Sequence, residues 1–341
     1  MANHVLARVR HDEITIVAEG LRQEIGAKIE MDPTTSFDLG SITKILSTTS
    51  LVMKLCELKT IGVHDEISEY LPEWKNTDKA RITIGDLLQH QSGLTEWRPL
   101  YISSHNPTEI YRLIASDPLK YPMRSGRHYS DLGFIILGHV IEVVTTSSLD
   151  TLFYELVARP LELSSTQFAQ PREKDNVAAT SLGDSIELKM ISSGIPYPVT
   201  EKIDSFKNWR SHVLVGEVND GNAFHGFAGI AGHAGLFSTA HDLALYIQEL
   251  WASVNGEGYF SEKVIREFLT ESSDPIQALG FRTWQMKDRK FYGHTGFPGV
   301  ACGFTLDGFG FAYLSNRIHT AGDFPSTDSL WMPLIEREIN P

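Results

Sequence analysis

Strand-like segments lie at both ends of the chain, and this placement limits the possible folds most. At the start, two alternating runs flank a polar turn at residues 11–13: Val5–Val9 and Ile14–Ala18. A shorter extended piece is expected near Ile25–Ile29. Near the end, three more runs follow, with the hairpin signal Asp307-Gly308 between the last two: Phe291–Gly296, Val300–Leu306 and Phe309–Asn316. This order predicts an α+β fold, in which helices flank an antiparallel sheet and a mostly helical domain is inserted.

Helical periodicity fills the middle of the chain. Thr83 with Asp86 and Thr239 with Asp242 match a variant of the capping box that opens a helix. Besides a short helix after Thr83, the apolar spacing predicts helices over Ser41–Lys59, Leu132–Val144, Leu243–Trp251 and Ser329–Ile339. We therefore expect a sheet domain of residues 1–75 and 206–341, and a mainly helical domain of residues 76–205.

The composition narrows the classes of partner. The 341 residues carry a formal net charge of −13, which disfavours binding to a nucleic-acid backbone. No apolar run is long enough for a membrane span. The first ten residues lack the apolar core of a signal peptide, so a cytoplasmic location is expected, or a periplasmic or secreted one if a leader was removed. Cys56 and Cys302 cannot build a disulfide framework for this length.

No cofactor or metal site is predicted. The glycines from Gly226 to Gly235 follow a G-x-x-G spacing without a Walker lysine, so tight backbone packing explains them better than a nucleotide loop. His225 and His233 lie in that run, but no H-E-x-x-H motif or cysteine cluster supports metal binding there. They are expected to be loop or core histidines.

Ser41-Ile42-Thr43-Lys44 can supply an activated nucleophile. Residues three apart share one helix face, so the Lys44 amine can approach Ser41 Oγ. A helix N-terminus at Ser41 favours a developing alkoxide. The tetrapeptide by itself is common, and taken alone it is better explained as a capped helix with an exposed lysine.

Two further motifs support the nucleophile. Tyr129-Ser130-Asp131 precedes an apolar helix and brings a phenol to its N-terminal end. His294-Thr295-Gly296 lies on a predicted strand, where a backbone N–H can face an oxyanion and glycine lets a substrate approach.

The order of these motifs, S-x-x-K, then Y-S-N-like, then K-T-G-like, resembles that of the serine β-lactamases, penicillin-binding proteins and related esterases. The chain is most similar to the class C β-lactamase-like branch, and the likeness extends over most of its length. Four segments carry it: Ile84–Leu94, Tyr129–Gly133, Ala231–Ala240 and Gly293–Phe297.

The resemblance implies a role for each matching residue. Ser41 would be acylated, while Lys44 and Tyr129 would share proton transfer. The backbone N–H groups of Ser41 and Phe297 would form the oxyanion hole. His294 and Thr295 would face the substrate beside Gly296.

Two residues depart from the family pattern. Asp131 replaces the usual Asn, and its carboxylate can pair with Lys44, keep the amine charged and shift the base role to Tyr129. His294 replaces the usual Lys and is largely neutral at pH 7. That change weakens the case for binding a substrate carboxylate.

The sequence thus predicts an acyl-transfer hydrolase that forms an acyl-enzyme on Ser41 with a small-molecule or short-peptide substrate. Three types remain open: a β-lactamase, a D-alanyl carboxypeptidase or a carboxylesterase. His294 favours an esterase or an atypical amide hydrolase. The alternative is a catalytically weak penicillin-binding or regulatory protein. Three aromatic residues either line an acyl pocket or only fill the packing: Trp97, Tyr101 and Tyr121.

Overall fold

The computed structural model describes residues 3–169 and 176–339. The predicted domain ranges also include residues 1–2, 170–175 and 340–341, which lie outside the described residues. The strands are β1 His4–Arg10, β2 Glu13–Glu19, β3 Leu21–Gln23, β4 Ile29–Glu30, β5 Phe37–Asp38, β6 Gln167–Phe168, β7 Ala179–Leu182, β8 Val213–Val215, β9 Leu236–Ser238, β10 Arg282–Met286, β11 Arg289–Gly296, β12 Val300–Phe304 and β13 Phe309–Ser315.

The α-helices concentrate between the two groups of long strands. They are α1 Ser50–Glu57, α2 Ile84–Leu88, α3 Pro107–Ser116, α4 Asp131–Thr145, α5 Leu149–Phe153, α6 Ser185–Ser193, α7 Ala240–Val254, α8 Glu262–Phe268 and α9 Thr327–Glu338. The expected capping boxes are present in part: Thr83 and Asp86 exchange both hydrogen bonds, whereas Thr239 only accepts the N–H of Asp242.

The six long strands form one antiparallel sheet in the order β10-β11-β12-β13-β1-β2. Strand β1 therefore pairs with β13 on one side and β2 on the other, as in Val5 opposite Leu314 and Val5 opposite Ala18. The two ends of the chain thus meet in the sheet, which confirms the predicted fold class.

Helices cover both faces of this sheet. Alternate residues of β1 point to opposite faces, so Val5 lies in the main core with α7 while Leu6 lies in a second apolar cluster with α9. In that second cluster Trp331 of α9 stacks on Phe311, with ring centroids 4.7 Å apart. Strand β11, which carries the predicted substrate motif, pairs with β12 within this covered sheet, as in His294 opposite Cys302.

Three local expectations need correction. Strand β10 follows no clear apolar alternation and was not predicted. Of the extended piece expected near Ile25–Ile29, residues 25–27 form a bend and Ile29 begins the short strand β4. Strand β12 ends at Phe304, because the hydroxyl of Thr305 bonds to Asp307 and to the carbonyl of Phe309 at the hairpin turn.

Helix α4 is the most apolar helix and is buried along most of its length. Among the described residues, no single helix is long and apolar enough to span a membrane; only α4 taken together with Leu149–Ala158, a pair bent by 82°, meets the criteria of length and composition.

Candidate active site

A continuous helical segment carries Ser41 and Lys44. It begins as a 3-10 turn at Gly40–Ile42, widens into a π-helical turn at Lys44–Thr49 and continues as α1. The hydroxyl of Thr49 donates to the Lys44 carbonyl at 2.8 Å and so gives this carbonyl of the π-helical turn a hydrogen-bond donor. Turns of this kind occur frequently at functional sites.

The Lys44 amine is buried and has three oxygen partners. Its Nζ donates to Ser41 Oγ at 2.8 Å and to the His233 carbonyl at 3.2 Å, and Asp131 Oδ1 lies 2.7 Å away. Lys44 is 0% exposed, so the alternative of an exposed lysine on a capped helix is wrong. The ion pair with Asp131 that the sequence suggested is present.

The surroundings keep this amine charged. Burial alone would lower the pKa of Lys44, but the Asp131 carboxylate and the Tyr129 phenol, through charge and hydrogen bonding, raise it above its ordinary value. A protonated amine donates a hydrogen bond to Ser41 Oγ and cannot take the hydroxyl proton. Proton acceptance in this site therefore needs another group.

The ring of Tyr129 lies close to the Lys44 amine. Lys44 Nζ lies 5.1 Å from the centroid of the Tyr129 ring, and Arg127 Cζ lies 5.4 Å from it. The next residue, Ser130, caps α4 by accepting the N–H of Gly133 at 3.2 Å. The cap holds the backbone at Tyr129, and the two cations lie within cation–π distance of its ring.

His90 is a supporting residue that the sequence analysis missed. Its Nδ1 accepts the backbone N–H of Ser130 at 3.0 Å, and its ring packs against Tyr129 with centroids 4.5 Å apart. Burial lowers the pKa of His90 well below its usual value, as do the nearby charges of Arg127 and Lys44. The ring thus supports Tyr129 as a neutral group. Its position in Ile84–Leu94, one of the four family-like segments, was the available signal.

His294 is buried on β11 and neutral. Its Nδ1 lies 2.6 Å from the Thr295 carbonyl, which can only accept, so Nδ1 carries the proton. Burial, and next the charge of Lys44, lower its pKa well below the usual value. Thr295 is half-buried beside it, and Gly296 lets β11 approach the segment before Ser41, because a Cβ there would lie 2.2 Å from the Leu39 carbonyl.

The backbone around Gly40 and Phe297 forms a close contact beside Ser41. Gly40 has a φ of +46°, and a Cβ added there would lie 2.7 Å from Pro298 Cδ and 3.3 Å from Phe297 N. Among the described residues the N–H of Phe297 has no hydrogen-bond acceptor. This brings a free backbone donor to the neighbourhood of Ser41, as a site for an oxyanion requires.

Three arginines line an open cavity beside Ser41, and the sequence analysis did not identify them. The cavity has a volume of about 410 Å³ and also borders Tyr129, His294, Thr295 and Phe297; its arginines are Arg127, Arg282 and Arg317. Arg282 pairs with Asp328 at 3.0 Å. In the part of the chain that the structure describes, the other two make no ion pair. A neutral histidine on β11 thus coexists with guanidinium groups that can bind an anion.

A second cavity of about 220 Å³ meets Ser41 from the other side. Trp97, Met190 and Tyr197 contribute its apolar wall, while Asp131 and Glu187 are two of its acidic residues. The first cavity is therefore lined by arginines and the second by acidic and apolar residues. Ser41 and Tyr129 border both.

The remaining aromatic and histidine residues have structural contacts. Tyr101 is buried and donates to Glu187 at 2.6 Å, and Tyr121 stacks on His128. Neither lines these cavities, so of the three aromatic residues only Trp97 does. His225 and His233 bond to Asp184 and Asp220, and no group of His, Cys, Asp and Glu within the described ranges could hold a metal.

The glycine-rich run packs tightly, as predicted. A Cβ on Gly232 would lie 2.1 Å from the Phe134 carbonyl of α4. The Gly232 carbonyl accepts the Thr48 hydroxyl at 2.6 Å. This packing brings the next carbonyl, that of His233, to the Lys44 amine.

A family model described as Beta-lactamase matches residues 4–332. The chain is 29% identical to an N-acetylmuramyl-L-alanine amidase of Bacillus subtilis (strain 168), over 92% of this chain and 72% of that protein. It is also 29% identical to a putative D-alanyl-D-alanine carboxypeptidase of Salmonella gallinarum, over 91% and 74% of the two chains.

A solved class C beta lactamase from Rhodobacter sphaeroides superposes on this chain with a TM-score of 0.71. The two are 16% identical in sequence, and the match covers 99% of this chain and 95% of that one. At this identity the likeness shows the fold alone. With the family model matching nearly the whole length, the chain belongs to the beta-lactamase family.

Proposed function

We propose that this protein is a serine hydrolase that forms an acyl-enzyme on Ser41. The observation that carries the proposal is the hydrogen bond from Lys44 Nζ to Ser41 Oγ at 2.8 Å, made by an amine that is also paired with Asp131. A serine hydroxyl becomes a useful nucleophile only when neighbouring groups orient it and remove its proton.

Tyr129 is the proposed base. In the proposed mechanism Tyr129 acts as a phenolate, and two cations are close to it: Lys44 Nζ and Arg127 Cζ lie 5.1 and 5.4 Å from its ring centroid. The phenolate takes the proton of Ser41 Oγ as that oxygen bonds to the substrate carbonyl carbon. The same proton then passes to the leaving group as its bond to carbon breaks.

The oxyanion and the second half-reaction use the same groups. The backbone N–H groups of Ser41 and Phe297 are the proposed donors to the oxyanion. Water then attacks the acyl-enzyme and gives a proton to Tyr129, and Ser41 recovers its proton as the acid leaves. No cofactor enters this sequence.

The arginine-lined cavity favours an amide or peptide whose leaving half carries a carboxylate. Arg127 has no acidic partner among the described residues, and Arg282 lies close to Thr295 on β11, with Nη1 3.5 Å from Thr295 Oγ1. The names of the amidase and carboxypeptidase relatives point the same way. This changes the preference drawn from His294 alone, because guanidinium groups supply the charge that the histidine lacks.

The test combines labelling with a substrate panel. Wild type and Ser41→Ala are incubated with a fluorophosphonate and with penicillin, and adducts are located by mass spectrometry. Turnover is then measured with nitrocefin, a D-Ala-D-Ala peptide and short p-nitrophenyl esters. We expect adducts and turnover in wild type only. Equal turnover by the Ser41→Ala variant would refute the proposal.

A catalytically weak penicillin-binding protein is the second candidate. The ion pair between Lys44 and Asp131 favours it, because it removes the amine from base catalysis. In that case penicillin would form a stable adduct on Ser41 without release. Rapid release of the penicilloyl group would exclude this candidate.

A further inference from the structure

We infer that the acyl half of the substrate carries an apolar, ring-sized group without negative charge, and that it occupies the 220 Å³ cavity beside Ser41. This inference rests on the proposed function, because it assigns the cavity to the group that becomes attached to Ser41. It adds a substrate class that the family assignment does not supply.

The volume of the cavity suits a ring. An enclosed apolar cavity of about 150 Å³ holds a benzene molecule, and this cavity measures about 220 Å³. Ser41 and Tyr129 lie at its catalytic end, while Trp97 and Tyr197 lie on its wall. A side chain attached to the reacting carbonyl can therefore extend into it.

The wall is aromatic and apolar. Trp97 is only 4% exposed, and its ring centroid lies 6.5 Å from that of Tyr197. Helix α6 adds Ile186 and Met190, which are four residues apart and so share one face of the helix. Burial of an apolar group against these side chains stabilises the complex, because it removes apolar surface from water.

Glu187 anchors that wall to the rest of the protein. Its two carboxylate oxygens accept the Gly221 N–H at 2.7 Å and the Tyr101 hydroxyl at 2.6 Å. Asp184, just before α6, is held by a buried ion pair with Arg210 at 2.6 Å. These contacts fix the position of α6. The wall that α6 contributes can therefore favour an acyl group of one size and polarity over another.

The described lining of this cavity offers no free cation to an anion. The described residues that line it include no lysine or arginine, but five acidic ones: Asp38, Asp131, Asp184, Glu187 and Asp220. Lys44 is paired with Asp131 and Arg210 with Asp184, and burial raises the pKa of Glu187 to about 8. A carboxylate entering this space would therefore lose its hydration without gaining a free cation as partner.

The two cavities together orient the substrate. The leaving half meets Arg127 and Arg282 on one side of Ser41, and the acyl half meets acidic and apolar residues on the other. A substrate bound the other way round would put its carboxylate beside Glu187.

The experiment compares three p-nitrophenyl esters that share a leaving group. Their acyl parts are 3-(4-methylphenyl)propanoyl, 3-(4-carboxyphenyl)propanoyl and butanoyl. After correction for hydroxide-catalysed hydrolysis, we expect kcat/KM for the methylphenyl ester to exceed each of the others by about tenfold or more. Equal values for the methylphenyl and butanoyl esters, or for the methylphenyl and carboxyphenyl esters, would overturn the inference.

Variants at the wall test the cause. Met190→Lys places a cation in the cavity, so it should raise kcat/KM for the carboxyphenyl ester and lower it for the methylphenyl ester, while Met190→Gln should not raise the former. Tyr197→Ala should reduce the preference for the ring. Circular dichroism and the thermal unfolding midpoint verify that each variant is folded. An unchanged charge preference in Met190→Lys would contradict the assignment of the cavity.

The same data separate this inference from the proposed function. If a fluorophosphonate labels Ser41 and the esters turn over without preference, only the inference fails. If neither labelling nor turnover occurs at Ser41, the proposed function fails.

Discussion

The Asp131 carboxylate lies 2.7 Å from the Lys44 amine and holds it as a buried cation against the Ser41 hydroxyl. Against burial, which lowers the pKa of Lys44, this carboxylate, standing where the family pattern has Asn, raises that pKa above its ordinary value. It transfers the proposed base role to Tyr129, and the following predictions test this and related consequences.

Asp131→Asn should alter the pH dependence of acylation. Without the carboxylate, burial dominates and the pKa of Lys44 falls, so the neutral amine forms at lower pH. We expect the acylation rate constant of the variant to gain a limb that rises with pH. Stopped-flow acylation across pH measures it, and Asp131→Asn/Lys44→Met is the control that should lack this limb. A variant profile identical to wild type would contradict the prediction.

Tyr129→Phe should remove the base while leaving the packing with His90 in place. We expect kcat/KM to fall by about 10²–10⁴-fold, the usual contribution of a positioned general base. Steady-state kinetics with the best substrate of the panel give the value. Tyr121→Phe is the matched control, because Tyr121 bonds to Glu96 and lines neither cavity. A loss shared equally by both variants would speak against a specific role for Tyr129.

Arg127→Gln should weaken recognition of the leaving half. A hydrogen bond to a charged group contributes about 1.5–3 kcal/mol, so kcat/KM for a peptide ending in a free carboxylate should fall by about 10–100-fold. The same peptide with a C-terminal amide should change little. Arg266→Gln is the control, since Arg266 is exposed on α8 and pairs with Glu262. Equal losses for both peptides would argue against a carboxylate contact.

His319 should make the folded state sensitive to acid. Its Nε2 accepts the N–H groups of Glu24 and Ile25, each at 3.0 Å, and its Nδ1 donates to the Thr180 carbonyl at 2.9 Å. Burial lowers the pKa of His319 below 6.5, despite the Thr180 carbonyl and Glu24, which raise it. A proton on Nε2 would cost both of the bonds that it accepts.

The sign of the effect follows from that direction. The unfolded chain takes up the proton first as pH falls, so stability is present above pH 6.5 and is lost as pH falls from 6.5 through the lower folded pKa. Denaturant unfolding of wild type and His319→Gln across this range measures the difference. The wild type should lose more stability than the variant. Parallel pH curves would show that His319 does not contribute.

The local patterns of the sequence were sufficient for the long elements. Strands β1, β2, β11 and β13 have period-two or continuous apolar runs, and α4 and α7 have helical spacing, because each buries one or both faces. The sequence of strand β10 shows no regular alternation of apolar and polar residues. The strand is recognised only from its antiparallel pairing with β11 in the folded structure.

For the candidate site, the sequence by itself determined which chemical groups are available: the Ser41 hydroxyl, the Lys44 amine, the Tyr129 phenol and the imidazole of His294. Their motif order was sufficient because the spacing within each motif is local. What only the tertiary structure decided is the charge around them. Arg127 and Arg282 are far apart along the chain and meet at one cavity, and Glu187 and Trp97 meet at the other. Folding brings these distant segments together, and electrostatic effects depend on distance in space.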